Sequence, residues 1–147
     1  FGLLELNRLV VNEGLEKNVL SFFVSQTLKN LPNGTVVVSY ADLGQGHHGY
    51  IYQATNWYYT GIGGKTDLYI MKDGSSRHSR HKDMINRDMV DHIEKSIGKA
   101  RYYSFIGDKK QVKTMRNQLR FPILPYPKGD NVRYDATYSP PTQKVMF

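Results

Sequence analysis

The run Thr35-Val36-Val37-Val38-Ser39-Tyr40 constrains the fold more than any other part of the chain. It is short and nearly continuous in apolar, β-branched residues. Pro32-Asn33-Gly34 closes it on one side, and the glycine-spaced stretch Ala41 to Gly49 closes it on the other. β-Branched side chains are stiff at χ1 and suit a pleated strand. A strand apolar on both faces must be covered on both faces, which places it at the centre of a sheet flanked by other elements.

The neighbouring segments alternate around this strand. Leu3 to Val11 reads as a strand with Glu5, Asn7 and Leu9 on one face, broken by Asn12-Glu13-Gly14. Asn18 is positioned to cap a helix, with Ser21 three residues on. Val19, Leu20, Phe23, Val24, Thr27, Leu28 and Leu31 then recur at helical spacing. Tyr50 to Asn56 gives a short helix and Trp57 to Gly61 a strand. Strand, helix, strand, helix, strand is the pattern of an α/β domain with a parallel or mixed sheet flanked by helices.

Further on, Asp67 to Lys72 reads as a strand with a turn at Asp73-Gly74, and Ser75 to Lys82 as a polar, basic loop. Met84 to Ile97 is expected to be a helix, Arg101 to Ile106 a strand, and Lys109 to Leu119 a basic helix. Phe121 to Pro127 is expected to be extended, because its three prolines forbid regular helix and central strand. Residues 1–128 are assigned to one catalytic domain and 129–147, with Pro140-Pro141, to a polar tail.

A chain of 147 residues fits one compact domain. It has no cysteine, which excludes disulfides, thiolate catalysis and zinc–thiolate sites and fits a cytoplasmic setting. No apolar run approaches the roughly 18 residues of a membrane span, so no membrane partner is expected. The start lacks the basic-then-apolar order of a secretory leader. The chain opens at Phe1 almost directly into a strand, so upstream strands are expected to be missing, leaving an exposed sheet edge. The net charge of +7 favours polyanionic partners.

The residues that carry chemistry gather between Val36 and Gly61. In open α/β sheets ligands bind outside the carboxyl ends of strands. Tyr40, Asp42, Gln45, His47 and His48 fall at such an end, among glycines that let a ligand approach the backbone. Asp42 can cap the glycine loop, or it can orient a histidine or accept a proton. His47 can act as a general base, imidazole being the side chain that exchanges protons near neutral pH, or it can simply shape the turn. Adjacent histidines diverge, and the His78-x-x-His81 pair lacks the acidic partner of a metalloprotease helix, so no metal site is read. Arg77, Arg80 and Lys82, with Lys109 and Lys110, are candidates for phosphate contacts along a nucleic acid.

The string YADLGQGHHGYIYQATNWYYTG, from Tyr40 to Gly61, resembles the signature of the Mom family of bacteriophage DNA-modification proteins. The ELNRLVV strand, the N-x-x-S helix start at Asn18 and Ser21, and the RYYSFIGDKK and FPILPYPKG segments extend the likeness along most of the chain. The resemblance implies a GNAT acetyltransferase-like mixed sheet. It also implies transfer of a small acyl-derived group to the exocyclic amine of adenine in double-stranded DNA, within the bacterial host cytoplasm, as protection against restriction. Acetyl-CoA or a related acyl-CoA is the implied donor.

Ile51 to Trp57 is similar to the end of the last helix pattern of the acetyltransferases, with Asn56 and Trp57 in place of glycine and phenylalanine. That likeness puts Tyr52 on the tyrosine that protonates the departing thiolate and Gln45 near a helix-start asparagine. Read from the residues alone, without that likeness, Tyr52 is first of all a packing tyrosine on an amphipathic helix. For the donor's pyrophosphate the likeness points to Gly14, Lys17, Asn18 and Ser21 at a helix start, and for the donor more generally to Gln45 and Asn56. Of the family's phosphate-loop glycines only Gly14 is present. Two other classes are compatible with the same residues: an N-acyltransferase acting on a small amine or a protein, and a non-catalytic nucleic-acid-binding module.

Overall fold

The computed structural model describes residues 1–10, 14 and 16–129. In chain order these form β1 (Gly2–Leu6), α1 (Val19–Lys29), β2 (Thr35–Asp42), α2 (Tyr50–Ala54), β3 (Tyr58–Gly63), β4 (Asp67–Met71), β5 (Ser76–His78), β6 (Val90–Lys95), β7 (Lys99–Ile106) and α3 (Lys109–Asn117). The protein is a mixed α/β structure with two sheets. The main sheet has the order β1-β2-β7-β3. β2 runs parallel to β1 and antiparallel to β7, and β7 pairs antiparallel with β3. The valine run therefore lies inside the sheet, where its two-sided apolar pattern requires it.

The pleat divides the sheet into two faces. Val37 and Ala41 of β2, Ala100 and Tyr102 of β7 and Tyr59 of β3 point to one side. There they meet Val24 of α1, Tyr52 of α2 and the fully buried Trp57. The ring of Tyr52 lies 5.1 Å from both Trp57 and Tyr102, and Tyr59 lies 5.3 Å from Tyr102, all tilted. Such aromatic pairs each add about 0.5–1.5 kcal/mol beyond the area they bury. On the opposite side α3 packs on β7 with Met115 buried, and the Arg116 guanidinium lies 4.7 Å from the ring centre of Tyr58.

β3 and β7 would form a simple hairpin but for residues 64–98, which fold into an antiparallel sheet of order β5-β4-β6. Met84 to Ile97 is not a helix: it holds the end of a 3-10 run (Ser79–Met84), a 3-10 turn (Arg87–Met89) begun by the Asn86 side chain, and β6. Met89, Val90 and Ile93 fit helical spacing, yet Met89 and Ile93 are about half exposed and form no buried stripe. β6 instead pairs Val90 with Met71 and Ile93 with Tyr69, closed by the Lys95–Asp67 ion pair. The expected loop from Ser75 to Lys82 likewise contains β5 and most of the 3-10 run.

Two smaller corrections concern the start of the chain. The first strand ends at Leu6 rather than Val11, which itself lies outside the described residues. Asn18 stands at the N-cap position of α1 but makes no side-chain cap. Its φ of 70° is left-handed, whereas a capping side chain reaches the helix N–H groups from an extended backbone. Ser21 Oγ donates back to the Asn18 carbonyl at 2.9 Å.

The two edges of the main sheet differ. At β3 the proline-rich segment runs alongside: Leu124 N–H donates to the Tyr59 carbonyl at 2.9 Å and the Tyr126 hydroxyl to the Trp57 carbonyl at 2.6 Å. Among the described residues no strand pairs with the outer edge of β1, where Phe1, Leu3 and Leu4 are exposed. The tail expected from residue 129 lies, beyond Gly129, outside the described residues. No helix among them is long and apolar enough to cross a membrane.

One glycine is indispensable to this packing. Gly49 has a φ of 77°, and a Cβ there would stand 2.4 Å from Tyr102 Cε2. Gly49→Ala therefore combines left-handed strain of about 1–2 kcal/mol with overpacking of about 1–3 kcal/mol. Urea denaturation should show a stability loss of that combined size, and an unchanged midpoint would contradict the packing.

Candidate functional site

The candidate site lies at the carboxyl end of β2. Pairing between β1 and β2 ends at Leu6 and Ser39, and β2 continues to Asp42 with only β7 beside it. Ser39 Oγ lies 2.7 Å from the Leu6 carbonyl oxygen and 2.8 Å from the Tyr52 hydroxyl. Serine has one proton and a carbonyl can only accept, so Ser39 donates to Leu6 and Tyr52 donates to Ser39. The Tyr52 hydroxyl is thus held where the two parallel strands part. Its ring is buried between Trp57 and Tyr102.

Beyond the fork the chain turns sharply. One Asp42 carboxylate oxygen accepts from Gly44 N–H at 3.0 Å, and the Asp42 carbonyl accepts from His47 N–H at 3.1 Å. These bonds close the 3-10 turn Leu43–Gln45, with Gly46 left-handed after it. Asp42 therefore performs the capping role, with its second carboxylate oxygen left over. Gln45 and His47 are exposed on the turn.

The loop is fastened from below. The buried Tyr102 hydroxyl donates to the His48 carbonyl at 2.6 Å, and Gln53 Nε2 lies within bonding distance of both, 3.2 Å from the carbonyl and 3.1 Å from the hydroxyl. The left-handed Gly49 then starts α2. Sequence reasoning missed Gln53 and Tyr102. Their signal was a polar residue in a short helix next to a glycine loop, and a tyrosine at an inward position of an alternating strand. Burial pushes the Tyr102 hydroxyl up to about 12.

On the other face of the sheet Tyr40 stands opposite Arg101, and Asp42 opposite Lys99. Tyr40 is 40% exposed. Arg101 Nε donates to Thr60 Oγ1 at 2.9 Å and Nη2 to the Thr60 carbonyl at 3.1 Å, and the guanidinium lies 3.3 Å from the Phe121 ring centre. The sequence marks Arg101 only as one of many basic residues.

The remaining expected residues distribute as follows. Gly14, Lys17 and Asn18 are exposed ahead of α1, and Ser21 is in its first turn. Because β1, α1 and β2 form a parallel crossover, the start of α1 lies at the same end of the sheet as Asp42. Asn56 follows the other end of α2, exposed, with a φ of 61°. It fills a left-handed helix-ending position, which glycine and asparagine adopt most readily. Arg77 is exposed on β5 and Arg80 and Lys82 on the 3-10 run after it, and Lys109 and Lys110 begin α3 after the Asp108–Gln111 capping box. Lys109, Lys113 and Arg116 line a groove of about 460 Å³. His78 uses both ring nitrogens, Nδ1 accepting from Arg80 N–H at 3.0 Å and Nε2 lying 3.1 Å from Thr66 Oγ1.

A mixed sheet fed by a parallel crossover, with a fastened polar loop at the end of its inner strand, defines an α/β protein with a strand-end site. The chain belongs to the Mom protein family, whose model matches residues 2–128. The family is one of phage DNA modification, and its membership makes this chain a DNA-modifying protein. No curated protein matches the chain.

The burial of the Tyr102 hydroxyl has a pH signature. A pKa raised from 10.0 to about 12 favours the neutral hydroxyl in the folded state. Its contribution is complete below pH 10, and it is lost as pH rises toward about 12. Thermal melts across this range should fall more steeply for the wild-type chain than for Tyr102→Phe. Parallel curves would contradict the assignment.

Proposed function

We propose that the protein transfers a small acyl-derived group to the exocyclic amine of adenine in double-stranded DNA, in the bacterial host cytoplasm, protecting that DNA from restriction. The observation that carries this reading is the parting of β1 and β2 at Leu6 and Ser39. Past that point the β1-facing edge of Tyr40 to Asp42 has no strand bonded to it among the described residues. This edge lies at the same end of the sheet as the start of α1 and the Asp42–His47 turn.

The residues present suit an anionic acyl donor such as acetyl-CoA. α1 begins with no side-chain cap and no acidic residue in its first turn, so its dipole and first N–H groups favour an anion. Gly14 leaves open space around its backbone. Lys17, Asn18 and Ser21 would hold the pyrophosphate, and Gln45, exposed on the turn, would contact the donor nearer its acyl end. When bound, the donor supplies the acyl group as a thioester.

The chain's own residues then divide the proton work. The adenine amine is a weak nucleophile because its lone pair is delocalised into the ring, so positioning supplies much of the rate. Asp42, through its second carboxylate oxygen, or His47 takes the amine proton. The Tyr52 hydroxyl, which rests as a donor to Ser39, swings its proton from Ser39 Oγ to the departing thiolate. Tyr40 offers an exposed aromatic face beside the incoming base. Arg77, Arg80, Lys82, Lys109 and Lys110 are assigned to the DNA backbone. Residues 1–128 form the catalytic unit in this reading.

The test is mass analysis of deoxyadenosine from DNA of cells that express the protein. A new modified nucleoside is expected. General acid–base groups contribute about 10²–10⁴-fold, so Tyr52→Phe and one of Asp42→Asn and His47→Ala should lower its yield steeply while the protein stays folded, the sensitive member of that pair being the base. Unmodified adenine with soluble wild-type protein would contradict the reading and favour an acyltransferase for small amines or proteins.

A further inference from the structure

Arg101 is a preset cation with no acidic partner among the described residues. It is half buried, and among the described residues no carboxylate lies within ion-pair distance of it. A partly desolvated charge with no counter-charge is costly, and an oxyanion of a ligand would supply the balance. Its guanidinium is nonetheless fixed in place, gripped by Thr60 at Nε and Nη2 and stacked on Phe121. Of its five N–H groups two are spent on Thr60; among the described residues nothing bonds the second N–H of Nη2 or the two of Nη1. At Gly63 a Cβ would stand 3.2 Å from Nη1, so the glycine lets the guanidinium lie against that strand.

A planar fork of free donors with its rotamer already fixed suits the oxygens of a phosphate. Its place on the sheet selects which phosphate. The start of α1, assigned above to the donor, follows β1 on one side of β2, whereas Arg101 lies on β7, on the other side. Arg101 is also the cross-strand neighbour of Tyr40 and lies two residues from Lys99, which faces Asp42. We propose that Arg101 clamps a backbone phosphate of duplex DNA, presenting the target adenine to Asp42 and His47. This rests on the reading of duplex DNA as substrate. Arg101 acts as a positioning residue; it takes no part in proton transfer.

The experiment is fluorescence anisotropy with a labelled duplex over a salt series. Each phosphate neutralised contributes about 0.9 to the slope of log K against log salt. Arg101→Gln should therefore lower the slope by about one. Thr60→Val, which loosens the guanidinium but keeps its charge, should weaken binding with the slope unchanged. Lys29→Gln, on the exposed last turn of α1, should change neither.

An unchanged slope in folded Arg101→Gln overturns the clamp alone. Absence of duplex binding by the wild-type protein overturns the substrate reading and the clamp together. If Arg101→Gln fails to fold, Arg101→Lys decides: weakened binding at constant slope supports the clamp, and wild-type affinity overturns it. Coenzyme A affinity should be the same in all variants. Its loss on Arg101 substitution, with the DNA slope intact, assigns the guanidinium to the donor and overturns the proposal.

Discussion

The rest of the site depends on one buried hydrogen bond, from the Tyr102 hydroxyl to the His48 carbonyl. A buried carbonyl left unpaired costs about 1–3 kcal/mol, and here the hydroxyl of a core tyrosine, with Gln53 beside it, meets that need. The bond draws the loop so close to the ring that residue 49 has to be glycine. Gly49 then sets the first turn of α2, which carries Tyr52 back to the point where β1 and β2 part. The same anchoring leaves Asp42 and His47 at the rim. Core packing and placement of the polar residues are thus one structure.

How much of this could be read from the sequence varied with how local the cause was. The inner position of Thr35 to Tyr40, the crossover helix and the cap made by Asp42 follow from patterns within a few residues. The extended course of Phe121 to Pro127 follows from its prolines, although its bonds to Tyr59 and Trp57 do not. Met84 to Ile97 misled because its apolar residues suit either period, and pairing with β4 decided the matter. Asn18 misled because a capping residue type says nothing of its φ. Arg101 and Tyr102 are adjacent in a string of aromatic and basic residues. Only the pleat sends one to Thr60 and Phe121 and the other to His48.

The sheet also organises the proposed chemistry by position. β2 separates the start of α1 from Arg101, so the assigned donor and DNA sides approach its carboxyl end from opposite neighbours. The inserted sheet leaves β3 at Gly63 and returns at Lys99, which is paired with both Gly63 and Asp42. Arg77, Arg80 and Lys82 are therefore carried on an excursion that begins and ends beside the site, where a long polyanion can be contacted away from the reacting base.

The most direct measurement of the central interaction is nuclear magnetic resonance of the Tyr102 hydroxyl proton. If the buried bond fastens the loop, this proton exchanges slowly with water. It then shows through-space contacts to Gly49 and to the Gln53 side-chain amide, all of which vanish in Tyr102→Phe. Fast exchange of the hydroxyl, with averaged amide signals at His48 and Gly49, would contradict the account and leave Asp42, His47 and Tyr52 without a common anchor.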